Sequence, residues 1–400
     1  MRILILSQYF WPENFRINDL ALDLQKNNID VTVLTGYPNY PDGSVFEEFK
    51  KNKKSFNTLN DISITRVPIV PRGKGKIQLA LNYLSFIFSA STIGIWKLRK
   101  KKFDYIIFFG TSPTTSGIPA VLFSKIFNAP LITWILDIWP ETLSALGTVK
   151  SRFILNALSY IVGIIYKNSK YILGQSEIYL EKINEIAKDK NKLVCFPNWI
   201  ETDLEKIDTT MPGNYQKSSS FELLFAGNFG EAQDFPSLLK TIEILKDEDI
   251  CWNFLGSGRI LDNFKKDLKV MGLIEKVNFY DPVPLQEVKN YFDKADALIL
   301  SLQKKPLFEI TVPGKLQSYM VASKPILAMI DGEANSIITK SNCGFASEAE
   351  DAKGFAKNIL KLALMSEDER YILGKNGRDY AINNFSKAKV LNALYEILQP

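Results

Sequence analysis

The sequence predicts an α/β protein made of two doubly wound domains, each a parallel sheet with helices on both faces. Apolar runs of strand length alternate with helix-length segments along the whole chain. The alternation occurs twice, on either side of a polar stretch. The chain has 400 residues, 46% hydrophobic and 23% charged, too many for one core when domains hold about 100–200 residues each.

Met1-Arg2-Ile3-Leu4-Ile5-Leu6 lacks the length and cleavage site of a secretory signal. It is expected to be the first buried strand, Ile3–Leu6. Further strands are expected at Val31–Leu34, Ile62–Val67, Tyr105–Phe109, Leu131–Leu136, Tyr171–Gly174 and Leu193–Phe196, with helices around Ile17–Lys26, Ile77–Arg99, Ser116–Phe127 and Ser151–Asn168. Residues 205–220, polar and containing Thr-Thr-Met-Pro-Gly and Ser-Ser-Ser, are the expected linker after a first domain over 1–204. The second domain, 221–375, has strands expected at Glu222–Ala226, Trp252–Leu255, Lys276–Tyr280, Ala297–Leu300, Pro325–Met329 and Gly344–Ala346. Its helices fall near Phe235–Lys246, Ile260–Met271, Leu285–Lys294 and Lys315–Ala322. A last helix, Asn376 to Leu398 within 376–400, either completes the second domain or crosses back to the first. Two such sheets facing each other would put their ligand-binding strand ends on one cleft.

Composition removes several chemistries. There is no histidine, so Ser-His and Cys-His pairs, an imidazole base and His-ligated metals are excluded. Cys195, Cys251 and Cys343 form neither a CxxC motif nor an even disulfide set, and read as buried thiols of a reducing compartment. No metal site is expected.

The net charge of +5 is unevenly placed. Lys50, Lys51, Lys53 and Lys54 precede Arg72, Lys74 and Lys76, and a run at Lys97 and Arg99 to Lys102 follows. Without a zinc finger, RNA-recognition motif or basic heptad, nucleic acid is not the expected partner. An anionic membrane surface suits the pattern better. Between the last two clusters Ile77–Trp96 carries no charge. It is a membrane span, a buried helix, or a half-exposed helix resting on lipid.

Chemistry is expected where strands give way to loops. Ser7 to Asn14 follows the first strand, with Tyr9, Glu13 and Asn14, and opens a helix carrying Arg16; the alternative is an ordinary connection. Asp137-Ile138-Trp139-Pro140-Glu141 combines acids that accept from sugar hydroxyls with an indole that covers sugar CH faces, or else caps a helix. In the second domain, Gly227, Asn228 and Gly230 let backbone N–H groups approach a diphosphate, with Gln233 just beyond. Gly256-Ser257-Gly258-Arg259 supplies a guanidinium for phosphate, or is simply a turn. The loop around Val283 offers backbone groups to a nucleobase or is only a connector. Pro313-Gly314 starts a helix with Lys315 in its first turn, where a lysine opposes the helix dipole unless an anion is bound.

Taken together, Tyr9-Phe10-Trp11-Pro12-Glu13, Val31 through Gly43, Asp137 through Glu141, Pro197-Asn198-Trp199, Ala226-Gly227-Asn228 with Ala232-Gln233, and Val312-Pro313-Gly314-Lys315 resemble the family 4 retaining glycosyltransferases of GT-B fold. The WbuB-like O-antigen transferases, which are proposed to transfer N-acetyl-fucosamine or a related sugar, are the branch they resemble. The resemblance implies a nucleotide-diphosphate sugar (a UDP-sugar) as donor substrate, held by the second domain, and no cofactor or metal. It also implies an acceptor held by the first domain; with the apolar segment and its basic flanks, the expected acceptor is a polyprenyl-diphosphate-linked glycan at the cytoplasmic face of the plasma membrane. Aligned through Tyr319–Pro325, the family's Glu-x7-Glu pair falls on Ile310 and Ser318. Glu309 is the substitute for the first acid, and Gln317 is its partner at that spacing. The Arg-Lys pair that grips the diphosphate is missing near Asn228 and Gln233, leaving Arg259 and Lys315 for that charge. Asp137 stands where relatives place a histidine near the reacting sugar. The rival readings are a nucleotide-sugar epimerase of the same fold and an inactive sugar-binding or scaffold protein.

Overall fold

Eight strands make the first sheet: β1 (Arg2–Leu6), β2 (Asp30–Gly36), β3 (Thr58–Leu59), β4 (Ile62–Val67), β5 (Tyr105–Gly110), β6 (Leu131–Ile135), β7 (Ser169–Gly174) and β8 (Leu193–Cys195). They line up as β3-β4-β2-β1-β5-β6-β7-β8, parallel throughout except for the β3–β4 pair. The second sheet holds β9 (Phe221–Ala226), β10 (Ile250–Leu255), β11 (Val277–Tyr280), β12 (Ala297–Ser301), β13 (Ile326–Met329) and β14 (Gly344–Ser347), ordered β11-β10-β9-β12-β13-β14 and all parallel. The computed structural model describes residues 1–41, 43–73, 75–145, 149–205 and 219–399. Asp42, Lys74 and most of the expected linker lie outside them.

Both orders reverse direction at one point, between β1 and β5 in the first sheet and between β9 and β12 in the second. Such switch points leave a crevice at the carboxyl ends of the strands. Because helices cover both faces, the strands are apolar on both sides, and this is why they read as unbroken hydrophobic runs. In the second sheet Leu223, Phe225, Ile299, Leu327 and Met329 face one core cluster. Their neighbours Leu224, Leu298, Leu300, Ile326 and Ala328 face the other.

The chain divides into two units, Met1–Cys195 and Phe196–Pro400, so the first ends before the expected residue 204. The segment after Cys195 is tied to the second unit: Ile200 N–H donates to Phe385 O at 2.8 Å, and Ile200 and Leu204 are buried in a second-unit core. The single expected last helix is two, Glu367–Phe385 and Lys387–Leu398. The first begins earlier because Ser366 and Glu369 form a capping box, and Ser386 is extended between them. Helices at Glu177–Ala187, Gly332–Ser341 and Ala352–Ala363 and the short β3–β4 hairpin go beyond the elements expected from sequence.

The long apolar segment is helical from Lys76 to Leu98, with a π-helical turn over Ala90–Gly94. It is not fully buried. Asn82, Phe86, Ala90, Gly94 and Leu98 point inward at four-residue spacing. A Cβ on Gly94 would come within 2.9 Å of Leu34, so glycine sets the helix directly against β2. Ile77, Leu81, Leu84 and Phe88 face outward and are exposed.

Asn82 fixes the register of this helix through buried hydrogen bonds. Its Oδ1 accepts from Gln8 Nε2 at 2.7 Å and from the Tyr9 hydroxyl at 3.3 Å. Its Nδ2 donates to Val70 O at 2.6 Å. Leucine matches the shape but strands these buried groups, at a cost of roughly 2–4 kcal/mol. We therefore expect Asn82→Leu to lower the urea midpoint with the m-value unchanged; an unaltered midpoint would contradict this role.

Candidate functional site

The strand ends of the second unit interlock. Gly227 N–H donates to Leu255 O at 2.8 Å, Phe229 N–H to Ser257 O at 2.9 Å and Ile260 N–H to Phe229 O at 3.2 Å. The loop after β9, which carries Gly227 to Gly230, is thereby braced by the loop after β10, which carries Arg259. Two glycines make the approach possible. Gly256 has φ +139, and a Cβ there would sit 2.1 Å from Gly227 O. Gly227 has φ +136, and its Cβ would lie 2.6 Å from Lys315 Cε.

Lys315 occupies the space those glycines leave. It lies in the first turn of the helix Gly314–Val321. Its ammonium sits 3.8 Å from the centroid of the Phe225 ring and donates to Gln233 Oε1 at 3.2 Å. Desolvation of this half-buried side chain, with no carboxylate beside it among the described residues, lowers its pKa to about 7. The same helix is pinned to the sheet by Tyr319, whose buried hydroxyl donates to Ala226 O at 2.9 Å and accepts from Ala226 N–H at 2.8 Å. The structure therefore brings together Gly227, Asn228, Gly230, Gln233, Pro313, Gly314 and Lys315. Arg259 is exposed on the bracing loop.

Other expected donor residues are placed differently. Gln317 is 1% exposed, and with its nitrogen as donor it bonds Gly314 O at 3.0 Å and Pro313 O at 3.1 Å. This buried side chain closes its own helix start, where the sequence expectation had it at the donor. Ser318 is partly accessible, its hydroxyl 3.5 Å from Gly314 O. The carbonyl of Glu309 lies against Gly332, where φ is +71 and a Cβ would come within 1.9 Å. Val283 rests its side chain on the second-unit core.

In the first unit, the loop after β1 turns inward. Glu13 is 2% exposed. Its Oε1 accepts from Asn39 and Tyr40 N–H, each at 2.8 Å, and its Oε2 from Phe10 N–H at 3.2 Å. Burial pushes its pKa up to about 7 against those hydrogen bonds. Tyr9 is buried, stacked on Phe15 at 5.3 Å. Both side chains are turned inward and hold the loop. Arg66 completes this core, its guanidinium donating to carbonyls of Phe56, Gly36 and Trp11. Asn14 is exposed and Arg16 half-buried. The structural amide here is Asn18, which accepts from Trp11 N–H at 3.0 Å and donates to Glu13 O at 2.7 Å.

Asp137 follows β6 and is half-buried. Desolvation raises its pKa, opposed by hydrogen bonds from the Ser112 hydroxyl and backbone. Trp139 is buried and donates its indole N–H to Ser112 Oγ at 2.8 Å. It is a brace for Ser112 and Asp137, not an open platform for a sugar face. Glu141 starts the next short helix with Oε2 buried and unpartnered, as are the hydroxyls of Tyr166 and Tyr179. Sequence reading missed Ser112 because the stretch Thr111-Ser112-Pro113 after β5 carries no charge or glycine to mark it. Its position after a strand was the available signal.

Residues 220–364, all in the second unit, match the family model described as glycosyl transferases group 1. A Pseudomonas aeruginosa protein named as glycosyltransferase WbjE is 24% identical over 76% of this chain and 79% of its own. An Escherichia coli K12 protein named as the colanic acid biosynthesis glycosyl transferase WcaI is 23% identical over 98% of both. The crystal structure of Anabaena HepE in complex with UDP superposes with a TM-score of 0.69 at 13% identity, covering 100% of this chain and 99% of that one. The fold is GT-B.

The close approach at Gly256 can be tested against Gly272, which has φ +68 and open space around a Cβ. Gly272→Ala should cost about 1 kcal/mol from backbone strain alone. Gly256→Ala must also move backbone and should cost several times more by urea unfolding. Equal costs would contradict the interlock.

Proposed function

We propose that this chain is a retaining glycosyltransferase that moves a sugar from a UDP-sugar to a polyprenyl-diphosphate-linked glycan in surface polysaccharide assembly. The family match and the two curated relatives support a glycosyltransferase, and HepE, of like fold, is solved with UDP. Neither the epimerase nor the inactive scaffold gains support from these relatives. The finer reading follows the WbuB-like branch, in which N-acetyl-fucosamine or a related N-acetylhexosamine is moved for O-antigen or capsule at the cytoplasmic face of the plasma membrane.

The observation that carries this reading is the cationic end of the second sheet. A half-buried lysine with no carboxylate beside it among the described residues stands at a helix N-terminus, where dipole and ammonium both favour an anion and disfavour each other. A diphosphate answers both. Lys315, the first N–H groups of helix Gly314–Val321 and the exposed Arg259 would neutralise it. Ser318 takes the ribose position from which Gln317 is withdrawn. The Val283 loop follows β11, the edge strand beside β10, and is assigned to the nucleobase, and Glu309 to the donor sugar.

On this reading the acceptor hydroxyl oxygen attacks the anomeric carbon from the face that UDP leaves. The bond from that carbon to the diphosphate oxygen breaks, the glycosidic bond forms, and the hydroxyl proton passes to a phosphate oxygen. Asp137 needs to carry no proton; oriented by Ser112, it would hydrogen-bond a sugar hydroxyl or steady the oxocarbenium-like centre.

Four outcomes are expected. Transfer from a panel of nucleotide sugars to a lipid-linked acceptor should give a product with the anomeric configuration of the donor. No transfer together with no UDP binding by calorimetry would contradict the proposal. Lys315→Met keeps the aliphatic stem and should weaken UDP binding roughly tenfold to a hundredfold. Because the free amine is charged only below about 7, wild-type affinity should fall as pH rises from 6 to 9 while the variant lacks that component. Equal pH slopes would remove Lys315 from the site. Asp137→Ala should lower kcat by roughly 100-fold or more with UDP affinity retained; unchanged turnover would displace it.

A further inference from the structure

The geometry points to a lipid-seating face on the first unit, built by three neighbouring helices and made to rest on an anionic bilayer. It deepens the lipid-linked acceptor reading but stands on separate observations. The helix Lys76–Leu98 turns Ile77, Leu81, Leu84 and Phe88 outward at positions i, i+4, i+7 and i+11, a single stripe along its length. The helix Ile118–Phe127 touches it on one side and the helix Arg152–Asn168 on the other. The middle helix exposes Leu122 and Ile126, and the third exposes Phe153, Tyr160 and Ile164. Phe88 is 70% exposed and Phe153 is 84% exposed, values typical of surface polar residues and not of phenylalanine.

Charge selects the occupant. None of the three helices contains an aspartate or glutamate. Around them stand exposed Arg99, Lys100, Lys102, Lys125, Arg152 and Lys167, and Arg99 stacks on exposed Trp96 at 4.6 Å. A second copy meeting this face with its own like face would bring cations to cations, with no acid in these helices to answer them. An anionic bilayer supplies both the apolar interior and the opposite charge. The seating is in the plane of the membrane. The inward side of helix Lys76–Leu98 is bonded through Asn82 and packed on β2 through Gly94, so the helix cannot leave the domain to span. At about 1.5 Å per residue its 22-residue apolar part, Ile77–Leu98, would lie along the surface for roughly 33 Å.

The test uses the full chain and vesicles of phosphatidylcholine, alone or with roughly one-third phosphatidylglycerol. Trp96 is the exposed tryptophan of this face, so its emission should shift to the blue on the anionic vesicles. Leu84→Glu on the first helix and Phe153→Glu on the third should each weaken co-sedimentation at least tenfold while leaving the thermal midpoint and UDP binding as in the wild type. Binding that is no stronger on anionic than on neutral vesicles would overturn the proposal. So would a Phe153→Glu variant that binds like the parent, or a wild-type dimer in sedimentation velocity that Leu84→Glu makes monomeric. Failure of sugar transfer with vesicle binding intact would count against the catalytic reading alone.

Discussion

A desolvated ammonium is the constraint on which the second unit's strand ends depend. Taking a lysine charge out of water is costly unless something compensates, and here the partners are one amide oxygen and one aromatic face. Room for it requires that Gly227 lack a Cβ. Gly227 can take its φ of +136 only because Gly256 lets its carbonyl pass. Tyr319 then ties the helix bearing Lys315 to the last residue of β9. Each of these residues would be replaceable in a structural connection. On the proposed reading, an anion completes their joint arrangement.

The first unit uses buried polarity differently. Glu13, Asn39 and Asn82 form a connected set under the loops that leave β1 and β2: Asn39 N–H meets Glu13, its Oδ1 receives Arg72 N–H at 2.9 Å, and Asn82 joins it to Gln8 and Tyr9. A buried network of this kind rigidifies loops that carry function elsewhere, even though Gln8 Oε1 finds no hydrogen-bond partner among the described residues. The same set anchors the inner side of the long apolar helix. Its outer side is therefore free to present hydrocarbon without loosening the core.

How far the sequence could be read follows from this physics. Strands buried on both faces are unbroken apolar runs, so Ile62–Val67 and the other expected strands were legible to within a few residues. The glycines and Lys315 stood out in the sequence because a glycine lets backbone approach closely and a lysine at a helix start opposes the dipole. The burial of Tyr9, Glu13, Trp139 and Gln317 was not. Polar and aromatic residues in strand-end loops look alike whether they face a ligand or hold the loop, and the choice depends on distant partners such as Asn39, Ser112 and Pro313. The apolar helix was ambiguous for a related reason: composition gives its hydrophobicity, and only packing shows which side is covered.

The central claim is that Lys315 is a desolvated cation waiting for a diphosphate, and its titration can be observed directly. Nitrogen-15 NMR of the Lys315 side chain, assigned with the Lys315→Met variant, should show an amine that loses its proton near 7 in the free protein. With UDP bound the same group should stay protonated well above that pH. An amine that titrates at the ordinary lysine value of about 10.4 in both states would contradict the account.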